Sequence, residues 1–164
     1  MRFAPAAAAM SLFLATTASV TKADDVKPDP RAEALVIQGK ASLAAGETQA
    51  AIDAFEAALA VDPAYTPIFL ALAEAAPQDG LQGKAIRYYR EALARDPGNF
   101  AAIAGEGEAL VEKGALEKAK RNLSRLESLC GSGCPETVAL QSSIAKGPPP
   151  RLAADTETAK PTSN

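Results

Sequence analysis

Two cysteines, a scatter of carboxylates and one glycine-rich stretch are the residues of this sequence whose types and spacing could support chemistry. Histidine is absent altogether, which removes the commonest general base and the commonest metal ligand. Cys130-Gly131-Ser132-Gly133-Cys134 puts three residues between the sulfurs. A redox dithiol keeps two and follows a strand, and no strand pattern precedes this pair. Two thiols without histidine are also too few for a four-ligand zinc site. The carboxylates Glu47, Asp53, Glu56, Glu74, Glu106, Glu108 and Glu112 could divide acid and base roles, but at their spacings most fall on solvated helix faces. Gly105 and Gly107 sit in Ala-Ile-Ala-Gly-Glu-Gly, where a phosphate loop would need a preceding strand, and the pattern around them is helical. No catalytic, cofactor-binding or metal-binding residue is assigned.

The elements that carry these residues are bounded first by composition. A chain of 164 residues has room for one compact domain. Its alanine-rich, tryptophan-free sequence has only 5% aromatic residues, so the core must be thin and built from closely spaced helices. Residues 1–23 open with Met1-Arg2 and run through an apolar stretch to small residues, the grammar of a signal peptide. Pro5, Ser11, Thr16, Thr17 and Ser19 thin that stretch below what a membrane span of about 20 apolar residues requires. Cleavage is open to either Ala18 or Ala23, and the abrupt change to Asp24-Asp25 favours Ala23. No cysteine lies there to accept a lipid. The expected product is exported and periplasmic, with no stable membrane span once the leader is gone. Removing residues 1–23 takes away Arg2 and Lys22, so 17 positive and 20 negative residues become 15 and 20. That balance, without a basic patch or stacking aromatics, excludes nucleic acid as a partner.

The sequence repeats on itself every 34 residues. Asp62-Pro63 recurs at Asp96-Pro97, Gly46 at Gly80 and Gly114, Ala51 at Ala85 and Ala119, and Gly39 at Ala73 and Gly107. Larger residues keep the same register: Leu35, Phe69 and Ile103; Phe55, Tyr89 and Leu123. Each unit resolves into two helices. The first members are expected over residues 31–45, 67–76 and 101–113, the second over 48–61, 82–95 and 116–129. Gly46, Gly80 and Gly114 stand where a helix end needs positive φ. Asp29-Pro30 and Thr66-Pro67 offer a cap followed by proline in the first turn, and Pro63 and Pro97 stop the second helices.

With these residues the chain resembles the tetratricopeptide repeat family, whose unit is a 34-residue helix-turn-helix with small residues, one bulky residue and a closing proline at set offsets. Gly39, Ala51, Phe55, Ala58 and Pro63 fall on that pattern, as do Ala73, Ala85, Tyr89, Ala92 and Pro97. The third unit keeps Gly107, Gly114 and Ala119 but has Leu123, Leu126 and Gly131 at divergent positions, as a degenerate end repeat would. The fold class implied is all-α: a right-handed α-solenoid of three helix hairpins, residues 32–65, 66–99 and 100–131, plus a capping helix over 135–146. A short linker over 24–30 precedes this domain of residues 31–146. The proline-rich, polar stretch 147–164 reads as a disordered tail.

In an exported chain, Cys130 and Cys134 are expected to be bonded, pinning the cap to the last repeat. The resemblance implies a non-enzymatic role in binding another protein or peptide. The residues corresponding to the family's concave groove are Val36, Lys40, Leu70, Glu74, Ala104 and Glu108, with Leu43 and Val111 near the rim. The subclass that grips chaperone C-terminal carboxylates has basic residues and asparagine at such positions, whereas only Lys40 is basic here. That charge pattern points to a partner segment with apolar anchors and basic residues opposite Glu74 and Glu108. The alternative role is a structural subunit of an envelope complex, for secretion, a pilus or cytochrome maturation, that uses the convex face.

Overall fold

The computed structural model describes residues 27–150. The expected leader over residues 1–23 and the stretch 151–164 of the expected tail lie outside the described residues. Seven α-helices follow in order: α1 (Pro30–Ala44), α2 (Thr48–Val61), α3 (Pro67–Ala75), α4 (Gln82–Arg95), α5 (Phe100–Glu112), α6 (Leu116–Cys130) and α7 (Pro135–Lys146). Helices α1 and α2, α3 and α4, and α5 and α6 form the three hairpins, and α7 closes the row against α5 and α6.

The local chemistry explains where helices start and stop. Asp29 caps α1 by accepting from the Arg31 amide at 2.8 Å, and Asn99 caps α5 by accepting from the Ala102 amide at 2.9 Å. Thr66 makes no such bond. Its backbone is already helical, and the Ile68 and Phe69 amides are taken by the Tyr65 and Thr66 carbonyls, so its hydroxyl has no free donor to meet. The three repeated glycines, Gly46, Gly80 and Gly114, have φ of 80, 70 and 74°, the left-handed conformation that costs an L side chain free energy. Asp62 and Asp96 leave the second helices and turn the chain by accepting from the Ala64 and Gly98 amides.

One departure from the expected pattern is the end of α3. The α-helix stops at Ala75, and Ala76–Asp79 tighten into a 3₁₀ turn. Pro77 lacks the amide that would continue the α-helical ladder.

The core is a row of small-residue contacts. Ala51, Ala85 and Ala119 are fully buried, as are Ala58, Ala73 and Ala92, and this lets helices approach until large side chains of one fill the gaps of the next. At Gly39 a Cβ would lie 2.6 Å from Phe55 Cδ1, and at Gly107 one would lie 2.6 Å from Leu140 Cδ2. Phe55 and Leu140 are both fully buried, a gain of about 1.5–3 kcal/mol for each such side chain. Leu140 belongs to α7, so the cap occupies the hole that the third repeat leaves open. Cys130 and Cys134, with Cα atoms 5.8 Å apart, are joined by a disulfide across the α6–α7 turn. Restricting so short a loop contributes on the order of 2 kcal/mol through the unfolded chain. Thr137, fully buried, donates to the Gly131 carbonyl at 3.0 Å and holds the same turn from the α7 side.

The stack also has a direction of curvature. The first helices touch one another in series, α1 on α3, α3 on α5 and α5 on α7, whereas α2, α4 and α6 do not pack on each other to a comparable extent. The first helices therefore line the inner, concave side. Among the described residues no helix is long and apolar enough to cross a membrane.

Two glycine substitutions separate close packing from helix propensity. Gly39→Ala should cost about 1–3 kcal/mol in urea denaturation because Phe55 must move. Gly83→Ala, in an open position where the nearest atom is Lys113 Nζ at 3.7 Å, should be neutral or stabilising by less than about 1 kcal/mol.

Candidate functional site

The concave surface is built by α1, α3 and α5, and one side chain of α4 packs against α5 behind it. Tyr89 threads between the first helices of the second and third repeats, its ring over Gly105, where a Cβ would lie 2.5 Å from the phenolic oxygen. Only 8% of Tyr89 is exposed. Its phenol is pushed up from the ordinary tyrosine range, first by burial and then by the charges of Glu74, Glu108 and Glu112. The hydroxyl therefore stays protonated across the physiological range.

The three carboxylates come from two helices. Glu74 projects from α3 and is exposed, while Glu108 and Glu112, four residues apart on one face of α5, are half-buried. Burial and then the neighbouring Glu112 charge raise Glu108 above the usual carboxylate range. Glu112 Oε2 is buried and has no hydrogen-bond partner. None of the three takes part in an ion pair among the described residues, where the pairs are Arg31–Asp29, Arg90–Glu106, Arg95–Glu91 and Lys120–Glu117.

Glu106 behaves differently although it lies on the same helix. It is buried, accepting from Arg90 Nε at 2.7 Å and from Asn122 Nδ2 at 3.1 Å. Asn122 also donates to the Ile103 carbonyl. This network fixes α4, α5 and α6 to one another and satisfies the buried carboxylate. The remaining acidic residues weighed for chemistry, Glu47, Asp53 and Glu56, are exposed on the first hairpin. No three acidic or cysteine residues among the described ones are placed to hold a metal ion.

The residues expected to line the groove divide into two sets. Val36, Ala104 and Val111 are 6, 7 and 3% exposed and pack in the core, because neighbouring helices close over them. Lys40 and Glu74 are exposed, and Leu43, Leu70 and Glu108 are half-buried. The inner surface is thus less of an apolar floor than the register implies and more of a charged one. Sequence reasoning assigned Glu112, Tyr89 and Gly105 no part in the groove. The spacing of Glu112 from Glu108 signalled a shared face, and the hydroxyl that Tyr89 adds where the first repeat has Phe55 signalled a polar end. Gly105 has no glycine at the equivalent positions, Ile37 and Ala71.

Two family models, each described as tetratricopeptide repeat, match residues 32–65 and 83–128. The chain belongs to the tetratricopeptide repeat family. No curated protein matches it, but many solved structures do. The TPR domain of Sgt2 from Aspergillus fumigatus superposes with a TM-score of 0.66 at 22% identity, covering 84% of this chain and 89% of that one. The first TPR of Spaghetti (RPAP3), bound to the HSP90 peptide SRMEEVD, gives 0.64 at 22% identity over 71% and 91%. The Yersinia enterocolitica type III secretion chaperone SycD, in complex with a peptide of the translocator YopD, gives 0.60 at 22% over 78% and 94%. At these identities the likeness is one of fold: an all-α tetratricopeptide solenoid.

The raised Glu108 makes a signed prediction. Its folded state holds the proton more tightly than the unfolded chain does, so its charge opposes folding above the folded pKa, and that opposition disappears as pH falls through it. Glu108→Gln should therefore raise thermal stability at pH 7, by less than about 1 kcal/mol for a half-buried and partly screened group. The difference from the parent should vanish near pH 3 in melting curves.

Proposed function

We propose that this tetratricopeptide solenoid is a non-enzymatic interaction module of the cell envelope, whose concave face captures a segment of a partner protein. The observation that carries this reading is the inner face of α3 and α5, which bears exposed Glu74 and half-buried Glu108 and Glu112, none of them in an ion pair among the described residues. Several structures of the same fold hold peptides, among them the HSP90 peptide on Spaghetti and the YopD peptide on SycD, which supports a peptide or helix as the occupant here. Glu74, Glu108 and Glu112 disfavour a partner's free carboxylate and favour a segment with basic side chains flanked by apolar ones. Half-buried Leu43 and Leu70 offer contact for the apolar anchors.

The envelope setting rests on the leader-like residues 1–23 and on the Cys130–Cys134 disulfide, which suits an oxidising compartment. Mass spectrometry of protein isolated from the envelope fraction without reductant should find the chain beginning at Asp24 and its two cysteines closed to alkylation. An intact Met1 in the cytoplasm, or two alkylated thiols, rejects that setting.

A rival reading places the contacts on the outside of the stack, and exposed Leu129 and Val138, 49 and 52% accessible near the capped end, favour it. Charge reversal discriminates between the two. Glu74→Lys with Glu108→Lys should weaken capture of the natural partner from envelope extract by about tenfold or more, while Arg87→Glu on the outer helix α4 should change it little. Retention by the groove variant together with loss by Arg87→Glu would transfer the function to the convex face.

A further inference from the structure

The first hairpin shows to solvent a face that the other two bury. At the positions of α1 that match Ile68, Ala71, Leu72 and Ala75 of α3, and Ala102, Gly105, Glu106 and Ala109 of α5, the chain has Ala34, Ile37, Gln38 and Ala41. The α3 set is buried in the core that it shares with the first repeat. Of the α5 set, Ala102, Glu106 and Ala109 are buried, and Gly105 lies under the Tyr89 ring of the repeat before it. In α1 all four are exposed, and Ile37, 69% accessible, is the most exposed large apolar residue among those described. A repeat is built to receive a neighbour on this side, and the first repeat keeps apolar residues there.

The chemistry of the face selects its occupant. Ala34, Ile37, Ala41 and Ala44 recur at the alternating three- and four-residue spacing of a helix-pairing seam, and Glu33 and Lys40 take the positions that flank it. Three small residues let a second helix come close, and Ile37 supplies the knob. Glu33 and Lys40 are exposed, and neither takes part in an ion pair among the described residues. Seven residues apart, they stand about 10 Å from each other along α1, too far to pair within one helix. Two copies of α1 placed antiparallel bring Glu33 of each against Lys40 of the other in the register where Ala34 meets Ile37, so a single alignment satisfies both the seam and its flanks. A parallel pair sets Glu33 against Gln38 and Lys40 against Ala45, leaving both charges unmet. The other end of the solenoid does not supply the counterpart, because Leu140 of α7 already fills the gap that the third repeat leaves at Gly107.

We propose that the chain pairs with a second copy of itself through the exposed face of α1, the two helices antiparallel, with Ala34 of each beside Ile37 of the other and Glu33 of each paired to Lys40 of the other. Such an interface uses the same residues on both copies and closes at a dimer. It gives the first repeat the cover that the second and third receive from the repeats before them. One helix face is small against the roughly 800 Å² per partner of a standard interface, so the dissociation constant should be on the order of 100 µM. Two joined solenoids offer two inner faces, and a partner that presents two recognised segments would be held by both. The assignment is independent of the groove reading, which rests on α3 and α5.

Sedimentation equilibrium of the purified chain beginning at Asp24, the form expected after export, tests the pairing. From about 10 µM to about 1 mM it should fit a monomer–dimer equilibrium. Ile37→Glu, at a position exposed in the monomer, should weaken the dimer by about tenfold or more while leaving the melting temperature of the dilute chain unchanged. Glu33→Lys alone and Lys40→Glu alone each set like charges against one another across the pair and should weaken it by about threefold to tenfold. Mixing those two variants should restore association to the parent level, because every altered residue then meets its complement. Both changes in one chain should restore it as well. A chain that stays monomeric throughout this range, a dimer indifferent to Ile37→Glu, or charge variants that fail to complement each other would overturn the assignment. Species beyond the dimer that grow with concentration would overturn it too, since they mark head-to-tail stacking through the capped end, where Leu129 and Val138 are exposed.

Discussion

Everything in this solenoid depends on how closely two helices approach, and that distance is set by the side chain that is missing. A ring or a branched chain on one helix enters a gap opposite a glycine or alanine on another: Phe55 on Gly39, Tyr89 on Gly105, Leu140 on Gly107. Because a helix buries only a stripe of its surface, a thin core with few aromatics can be stable only if nearly every gap is filled to normal packing density. The fully buried alanines at equivalent positions of successive repeats serve that end. The three ring-and-gap contacts are nevertheless not copies of one another. In the first hairpin the contact lies within the repeat. In the second it reaches forward to the next repeat, and in the third the gap is filled by the cap, so the same device holds hairpins, neighbours and terminus together.

The contact made by Tyr89 has an electrostatic consequence that Phe55 and Leu140 cannot have. Packing a phenol against Gly105 of α5 brings a polar group within electrostatic reach of carboxylates on α3 and α5. Within two turns of α5 the chain then treats acidic residues in opposite ways. Glu106 is turned toward α4 and α6, buried, and met by Arg90 and Asn122, so it ties the outer helices to the inner one. Glu108 and Glu112 are half-buried, and one Glu112 oxygen is buried without a partner. The first arrangement is structural, since a buried carboxylate without partners would be strongly unfavourable. The second stores repulsion, and a cation arriving from a partner relieves it.

The architecture was legible along the chain because its determinants are local or periodic. The 34-residue register, glycines at three equivalent helix ends and prolines after two second helices marked all seven helices to within a residue or two, and the repeat pattern marked Gly39 as a small position and Phe55 as a bulky one. The capping helix was legible too, since Pro135 opens it and Thr137, Leu140 and Ile144 share a face. What escaped was local as well: Pro77 converts the end of α3 into a 3₁₀ turn, and Thr66 begins α3 without capping it.

The site was less legible, and the reason is physical. Register tells which residues occupy the inner helices, and of those read as groove residues Glu74 is exposed and Glu108 half-buried. It does not tell how far neighbouring helices close over a position, and that is why Val36, Ala104 and Val111, equally inner by register, belong to the core. Nor can a one-dimensional pattern reveal that a side chain of α4 packs against Gly105 of α5, because that depends on the ring's length against the gap there. The sequence by itself determined the repeats and their helices. Only the tertiary structure decided which acidic groups are satisfied and which are left unpaired, because burial and pairing are properties of packed neighbours and not of spacing along the chain.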